Sequence, residues 1–101
     1  MTEIAAVLHA LGDPVRLEMV GRLADRGEPQ PCGALYDDIA KSTASYHFRL
    51  LREAGLIEQY AEGGRTLNLL ARAEADRRAP GVLESVLAAR SARAARTDGG
   101  Q

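Results

Sequence analysis

A chain of 101 residues has room for one hydrophobic core and not for two, so any binding surface must be built on a single domain. Hydrophobic residues make up 46% and charged residues 27% of it, which excludes wholesale disorder. The formal net charge of -1 excludes binding to a polyanion by overall basicity, so such contacts would depend on where the cations are placed.

Ile4, Val7, Leu8 and Leu11 follow the i, i+3, i+4, i+7 spacing of one helical face, so the first element is a short amphipathic helix. Gly12 breaks the pattern, and Asp13-Pro14 reads as an N-cap followed by proline at the first helical position. Val15, Leu17, Met19, Val20 and Leu23 cover more than one side of the second helix, which marks it as the core helix, ending near Gly27. Glu28-Pro29-Gln30-Pro31 is a loop with room for one short extended piece. A third, short helix is expected from Gly33 or Ala34 to Ile39, with Leu35 and Ile39 one turn apart. Ser42 is placed to cap a fourth helix running from about Thr43 to Ala54 and stopping at Gly55. Leu56 to Ala61 and Arg65 to Leu70 read as strands around Glu62-Gly63-Gly64, whose glycines supply the positive φ of a tight hairpin. Charged residues Arg72 to Arg78 lead to Pro80-Gly81. Val82, Leu83, Val86 and Leu87 then form the stripe of a fifth helix that fades after Arg90. Residues 1–90 are thus expected to form one domain and Ser91 to Gln101 a frayed tail.

A short helix, a tight connection, a capped helix and a glycine-tipped hairpin follow the order of a winged helix-turn-helix. On the fourth helix Ala44, His47, Phe48 and Leu51 share one face and pack inward, which turns Ser42, Thr43, Ser45, Tyr46, Arg49 and Arg52 outward. Hydroxyls and guanidinium groups suit base edges and phosphates in a major groove. Taken alone, that face reads equally well as the solvated side of a surface helix. Arg65 beside the hairpin glycines, able to reach an adjacent minor groove, shifts the reading toward duplex DNA.

The runs Leu8-His9-Ala10-Leu11-Gly12-Asp13-Pro14-Val15-Arg16-Leu17 and Lys41-Ser42-Thr43-Ala44-Ser45-Tyr46-His47-Phe48-Arg49-Leu50-Leu51-Arg52-Glu53-Ala54-Gly55-Leu56-Ile57 resemble the ArsR/SmtB family of transcriptional regulators. The resemblance covers about Ile4 to Leu87. It implies a mainly α, dimeric winged helix of about five helices plus a two-stranded wing, with the first and last helices forming the dimer interface, and it places His47 in the DNA-reading motif. On this basis the dimer interface is expected at Ile4, Val7, Leu8, Leu11, Val82, Leu83, Val86 and Leu87, in keeping with the limited core such a short chain offers these stripes. A two-fold dimer would set its reading helices about 34 Å apart and match an inverted-repeat operator. The expected function is that of a sequence-specific double-stranded DNA-binding regulator, a repressor acting as a homodimer. Its DNA contacts are expected at Lys41, Ser42, Thr43, Ser45, Tyr46, His47, Arg49, Arg52 and Arg65.

Many members of that family sense metals through a Cys-x-Cys on the third helix or through Asp and His on the last. Here the third-helix region holds Cys32 alone and the last helix has no histidine, so no metal site and no cofactor carries over, and the effector stays open. As the single cysteine, Cys32 also rules out an internal disulfide, and it reads as a core-filling thiol. His9 and Asp13 are four apart, but Gly12-Asp13-Pro14 breaks the helix between them. Asp37 and Asp38 point in different directions and make no catalytic pair, so an enzyme is not expected. No apolar run approaches the about 18 residues of a membrane span, and Met1-Thr2-Glu3 lacks a signal-peptide pattern. A cytoplasmic protein with no membrane partner is expected. Two other readings use the same residues. One is a nickel- or zinc-responsive regulator with a non-standard site drawn from His9, His47, Cys32 or carboxylates across the dimer, and the other is a protein-interaction module using Tyr46.

Overall fold

In the computed structural model, which describes residues 2–99, the first two helices start on side-chain caps. The Thr2 hydroxyl accepts from the Ala5 amide at 3.2 Å to open α1 (Glu3–Leu11). Asp13 accepts from the amides of Val15 and Arg16 at 2.9 and 3.1 Å and, with Pro14 behind it, opens α2 (Pro14–Arg26). Strand β1 (Gln30–Pro31) and a 3-10 turn at Cys32–Ala34 lead through an irregular segment to α3 (Lys41–Glu53). Then follow β2 (Ile57–Glu62), β3 (Arg65–Leu70), α4 (Arg72–Arg78) and α5 (Val82–Gly99).

The strands form one antiparallel sheet in the order β1-β3-β2, with Gln30 opposite Asn68 and the hairpin paired from Ile57–Leu70 to Glu62–Arg65. Gly63 and Gly64 connect β2 to β3 with φ of 61° and 80°, the two positive values a two-residue turn needs to match strand twist. Helix α2 supplies the centre of the core through Met19, Val20 and Leu23. Around it pack Val7, Ala10 and Leu11 from α1, Ala44, Phe48 and Leu51 from α3, and Leu83 and Leu87 from α5. Leu35, Leu56 and Ile57 close the side beneath the hairpin.

Five expectations need correction. The third helix does not form: the Ala34 carbonyl, which would accept from the backbone of residue 38, instead accepts from Arg22 and Arg26 at 3.2 and 2.8 Å. Asp37 binds Arg22, and Asp38 sits at φ 55°, outside helical space. Helix α3 begins at Lys41 on Ala40 without a side-chain cap, so Ser42 lies inside its first turn rather than capping it. Arg72–Arg78 is a helix in its own right, because Glu74 pairs with Arg77 and Arg78 one turn on while Ala75 is buried. The expected tail is helical to Gly99: the stretch is rich in alanine and arginine, and Arg90 anchors it to Asp25 and Glu18 of α2 at 3.1 and 3.4 Å. The last two tail residues, 100 and 101, lie outside the described residues. The wing hairpin also gains a third strand, β1, where the sequence offered only a short extended piece.

The residues expected at a dimer interface divide into two sets. Val7, Leu11, Leu83 and Leu87 are buried in the chain's own core. Ile4 and Leu8, one turn apart at the outer edge of the same stripe of α1, are 49% and 52% exposed, and Val82 and Val86 are half-buried.

Candidate nucleic-acid interface

Helix α3 is two-faced because its inward residues recur at helical spacing. Ala44, His47, Phe48 and Leu51 are buried, with Phe48 edge-on to Tyr36 at 6.2 Å. Lys41, Ser42, Thr43, Ser45, Tyr46, Arg49 and Arg52 are exposed on the other side. The uncapped N-terminus leaves the amides of the first turn without side-chain partners, beside the hydroxyls of Ser42 and Thr43. Amides so placed, at the positive end of the helix dipole, suit a phosphate.

The cations on this face are lightly held. The Arg49 guanidinium lies 5.4 Å from the Tyr46 ring centroid and 3.4 Å from Glu53, a surface pair worth under about 1 kcal/mol that a phosphate can displace. Arg52 donates to Gln59 at 2.6 Å, Gln59 to Asn68 at 2.7 Å, and Asn68 to the Gln30 carbonyl at 3.1 Å. That chain of bonds ties the helix to the base of the wing. Arg65 is exposed beside the turn, with Glu62 opposite it in the register.

The middle and the C-terminal end of α3 are fixed by arginines from other helices. Near its middle, Arg16 of α2, 5% exposed, donates to Nδ1 of His47 at 3.0 Å and to the carbonyls of Ala10 and His9 at 2.8 and 3.2 Å. At its end, Arg78 donates to the Glu53 carbonyl at 2.8 Å and lies over Gly55, whose φ is 78°. Hydrogen bonds from Arg77 and then Arg78 lower the Glu74 carboxyl to about 2, so it stays charged and keeps Arg78 in place. Burial works against the charged form of Asp13, but the Arg16 amide and guanidinium, the Val15 amide and His47 outweigh it and hold that carboxyl below its usual range.

Eight of the nine residues expected to touch DNA are exposed, seven on α3 and Arg65 on the wing, while His47 faces the interior at 8% exposure. Arg16 is a buried, fully bonded cation that the charge of its side chain hid in the sequence. Its spacing to Met19, Val20 and Leu23 is i, i+3, i+4, i+7, which places it on the buried face of α2. Cys32 is half-buried and accepts from the Asn68 amide at 3.3 Å. Among the described residues, no three His, Cys, Asp or Glu side chains converge as metal ligands would, and no helix is long and apolar enough to cross a membrane.

Residues 11–60 match the family model described as a helix-turn-helix domain. The chain is 44% identical over 54 residues to the HTH-type transcriptional regulator YceK of Bacillus subtilis, covering 52% of this chain and 54% of that protein. It thus spans about half the length of this relative. It is 34% identical over 61 residues to the HTH-type transcriptional regulator MJ1325 of Methanocaldococcus jannaschii, covering 58% of this chain and 67% of that one. Among solved structures, the homodimeric winged helix-turn-helix DNA-binding domain of Mb0332 from Mycobacterium bovis, a possible ArsR-family regulator, superposes with a TM-score of 0.67 at 23% identity. That match covers 98% of this chain and 84% of the solved Mb0332 fragment.

Proposed function

The chain belongs to the helix-turn-helix domain family of transcriptional regulators, with the winged fold of ArsR-type members, and on that premise we propose that it represses transcription as a homodimer on an inverted-repeat operator. Members of this class bind DNA and are not enzymes. The observation that carries the reading is the exposed face of α3, where Lys41, Ser42, Thr43 and Ser45 lie at an uncapped helix start and Tyr46, Arg49 and Arg52 continue the face along the helix. In this reading α3 enters the major groove, its first-turn amides meet a phosphate, and Arg65 reaches the neighbouring minor groove. His47 works from behind the helix rather than at the bases.

The second copy is proposed to cover the exposed pair Ile4 and Leu8, together with the half-buried Val82 and Val86. Two copies place four Arg49 and Arg52 side chains on one duplex, which offsets the acidic total. The protein would act in the cytoplasm, where promoter DNA is reached.

The test is an anisotropy titration of the chain against inverted-repeat promoter duplex and random duplex, repeated over a series of salt concentrations. Preferential binding whose logarithm falls linearly with log salt supports the proposal. Equal affinity for both duplexes, or none, ends it.

A further inference from the structure

Arg16 is 5% exposed, whereas every other described arginine is half-buried or exposed. A cation taken out of water is costly unless its surroundings compensate. Here the compensation comes from the C-terminal carbonyls of α1, at the negative end of its dipole, and from the Asp13 carboxylate at the head of α2. The remaining partner is Nδ1 of His47 on α3, 3.0 Å from Nη1 of Arg16. A guanidinium can only donate, so Nδ1 must be the acceptor and the ring is neutral, with its proton on Nε2.

We propose that Arg16 positions the DNA-reading helix through the neutral imidazole of His47, so that duplex affinity depends on Nδ1 of His47 remaining free to accept this bond. The proposal rests on the DNA-binding reading above and adds a positioning pair to it. Neither side chain reaches the exposed face, so both act through the placement of α3.

The charged and titratable groups around the ring define what a proton would do. From α2 these are Arg16 and Asp13, the latter with Oδ2 3.9 Å from Nδ1. On α3 itself Tyr46 stands 5.5 Å away ring to ring, and α1 faces the pair with the carbonyls of His9 and Ala10. A second proton on the ring sits on Nδ1, facing a guanidinium that can no longer bond to it. The imidazolium then turns toward Asp13, and Arg16 loses its hold on α3. Acidification thus releases the reading helix. Protonation of surface carboxylates acts in the opposite sense, because it makes the chain more basic and favours DNA.

The test uses the full chain and a duplex enriched from a random-sequence pool by the wild-type protein, with affinity measured at a series of pH values between about pH 8 and about pH 5.5. Wild type is expected to weaken roughly tenfold across that range, the size of one lost charge-assisted hydrogen bond. His47→Gln, which keeps an acceptor but cannot take up the proton, is expected to give a flat profile, and His9→Gln to retain the acid-dependent loss. Arg16→Met is expected to weaken binding roughly tenfold at about pH 8, with faster amide exchange in α3. Ring 15N shifts at the same pH should show Nδ1 of His47 unprotonated in the wild type. The proposal is overturned if His47→Gln keeps the wild-type acid loss, or if Nδ1 carries the proton at about pH 8. Should Arg16→Met fail to fold, the His47→Gln profile still decides. Should no duplex be enriched, the DNA-binding reading fails by itself. The 15N shifts and the α3 exchange rates then decide whether the pair holds the helix.

Discussion

Removing the Asp13 carboxylate separates its work as a helix cap from its work as a counter-charge. Two amides at 2.9 and 3.1 Å depend on it, and losing an N-cap of this kind costs about 1 kcal/mol. Asp13→Ala also leaves the buried guanidinium of Arg16 with carbonyls and an imidazole but no carboxylate, which adds up to about 1 kcal/mol for a group that is partly solvated. At matched protein concentration, a total near 2 kcal/mol lowers the melting temperature of a domain this size by roughly 10 °C. Asp13→Asn keeps the cap and loses the charge, so it should fall by no more than about half of that. The carboxyl's folded value lies below its ordinary 3.8, so its charge stabilises the fold above the ordinary value and that stabilisation is lost as pH falls through the folded value. The gap between wild type and Asp13→Asn should therefore be full at neutral pH and close in acid. Thermal melts followed by circular dichroism measure both effects. Asp13→Ala melting with the wild type, or a gap that widens in acid, would refute the reasoning.

Phe48→Ala empties a site at the centre of the α3 packing, where the ring is 4% exposed, and should cost about 3–5 kcal/mol in urea denaturation. Leu8→Glu places a carboxylate where a second copy is proposed to sit and should raise the dimer dissociation constant tenfold or more by sedimentation, with the monomer still folded. Glu62→Gln removes the negative charge opposite Arg65 at the wing tip. It should tighten duplex binding roughly threefold at low salt, and the gain should vanish at high salt.

The pattern of the chain made α1, α2, α3 and the hairpin legible, because each has an apolar period bounded by a turn residue. Asp13-Pro14, Gly55 and Gly63-Gly64 behave as their local chemistry dictates. The failures have a common cause, which is that long-range partners override local propensity. Leu35 and Ile39 have helical spacing, yet Arg22 and Arg26 from α2 take the carbonyl that a helix there would need. The C-terminal end of α5 persists because Arg90 finds Asp25 and Glu18, 65 and 72 residues away. The outward face of α3 could be read from periodicity alone. The buried Arg16 was masked by its charge, although its position on α2 places it among core residues. Which apolar residues of α1 and α5 are left for a partner could not be read from stripes alone, since Val7 and Leu11 share a stripe with Leu8 but point into the core.

A hydroxyl-radical footprint of the wild-type protein on its enriched duplex tests most directly whether two copies of α3 read successive grooves. Two protected segments centred one helical turn apart, about 10 base pairs, with protection lost in Arg49→Ala while the protein stays folded, is the predicted result. A single protected patch unaffected by Arg49→Ala, or uniform weak protection along the duplex, would contradict it.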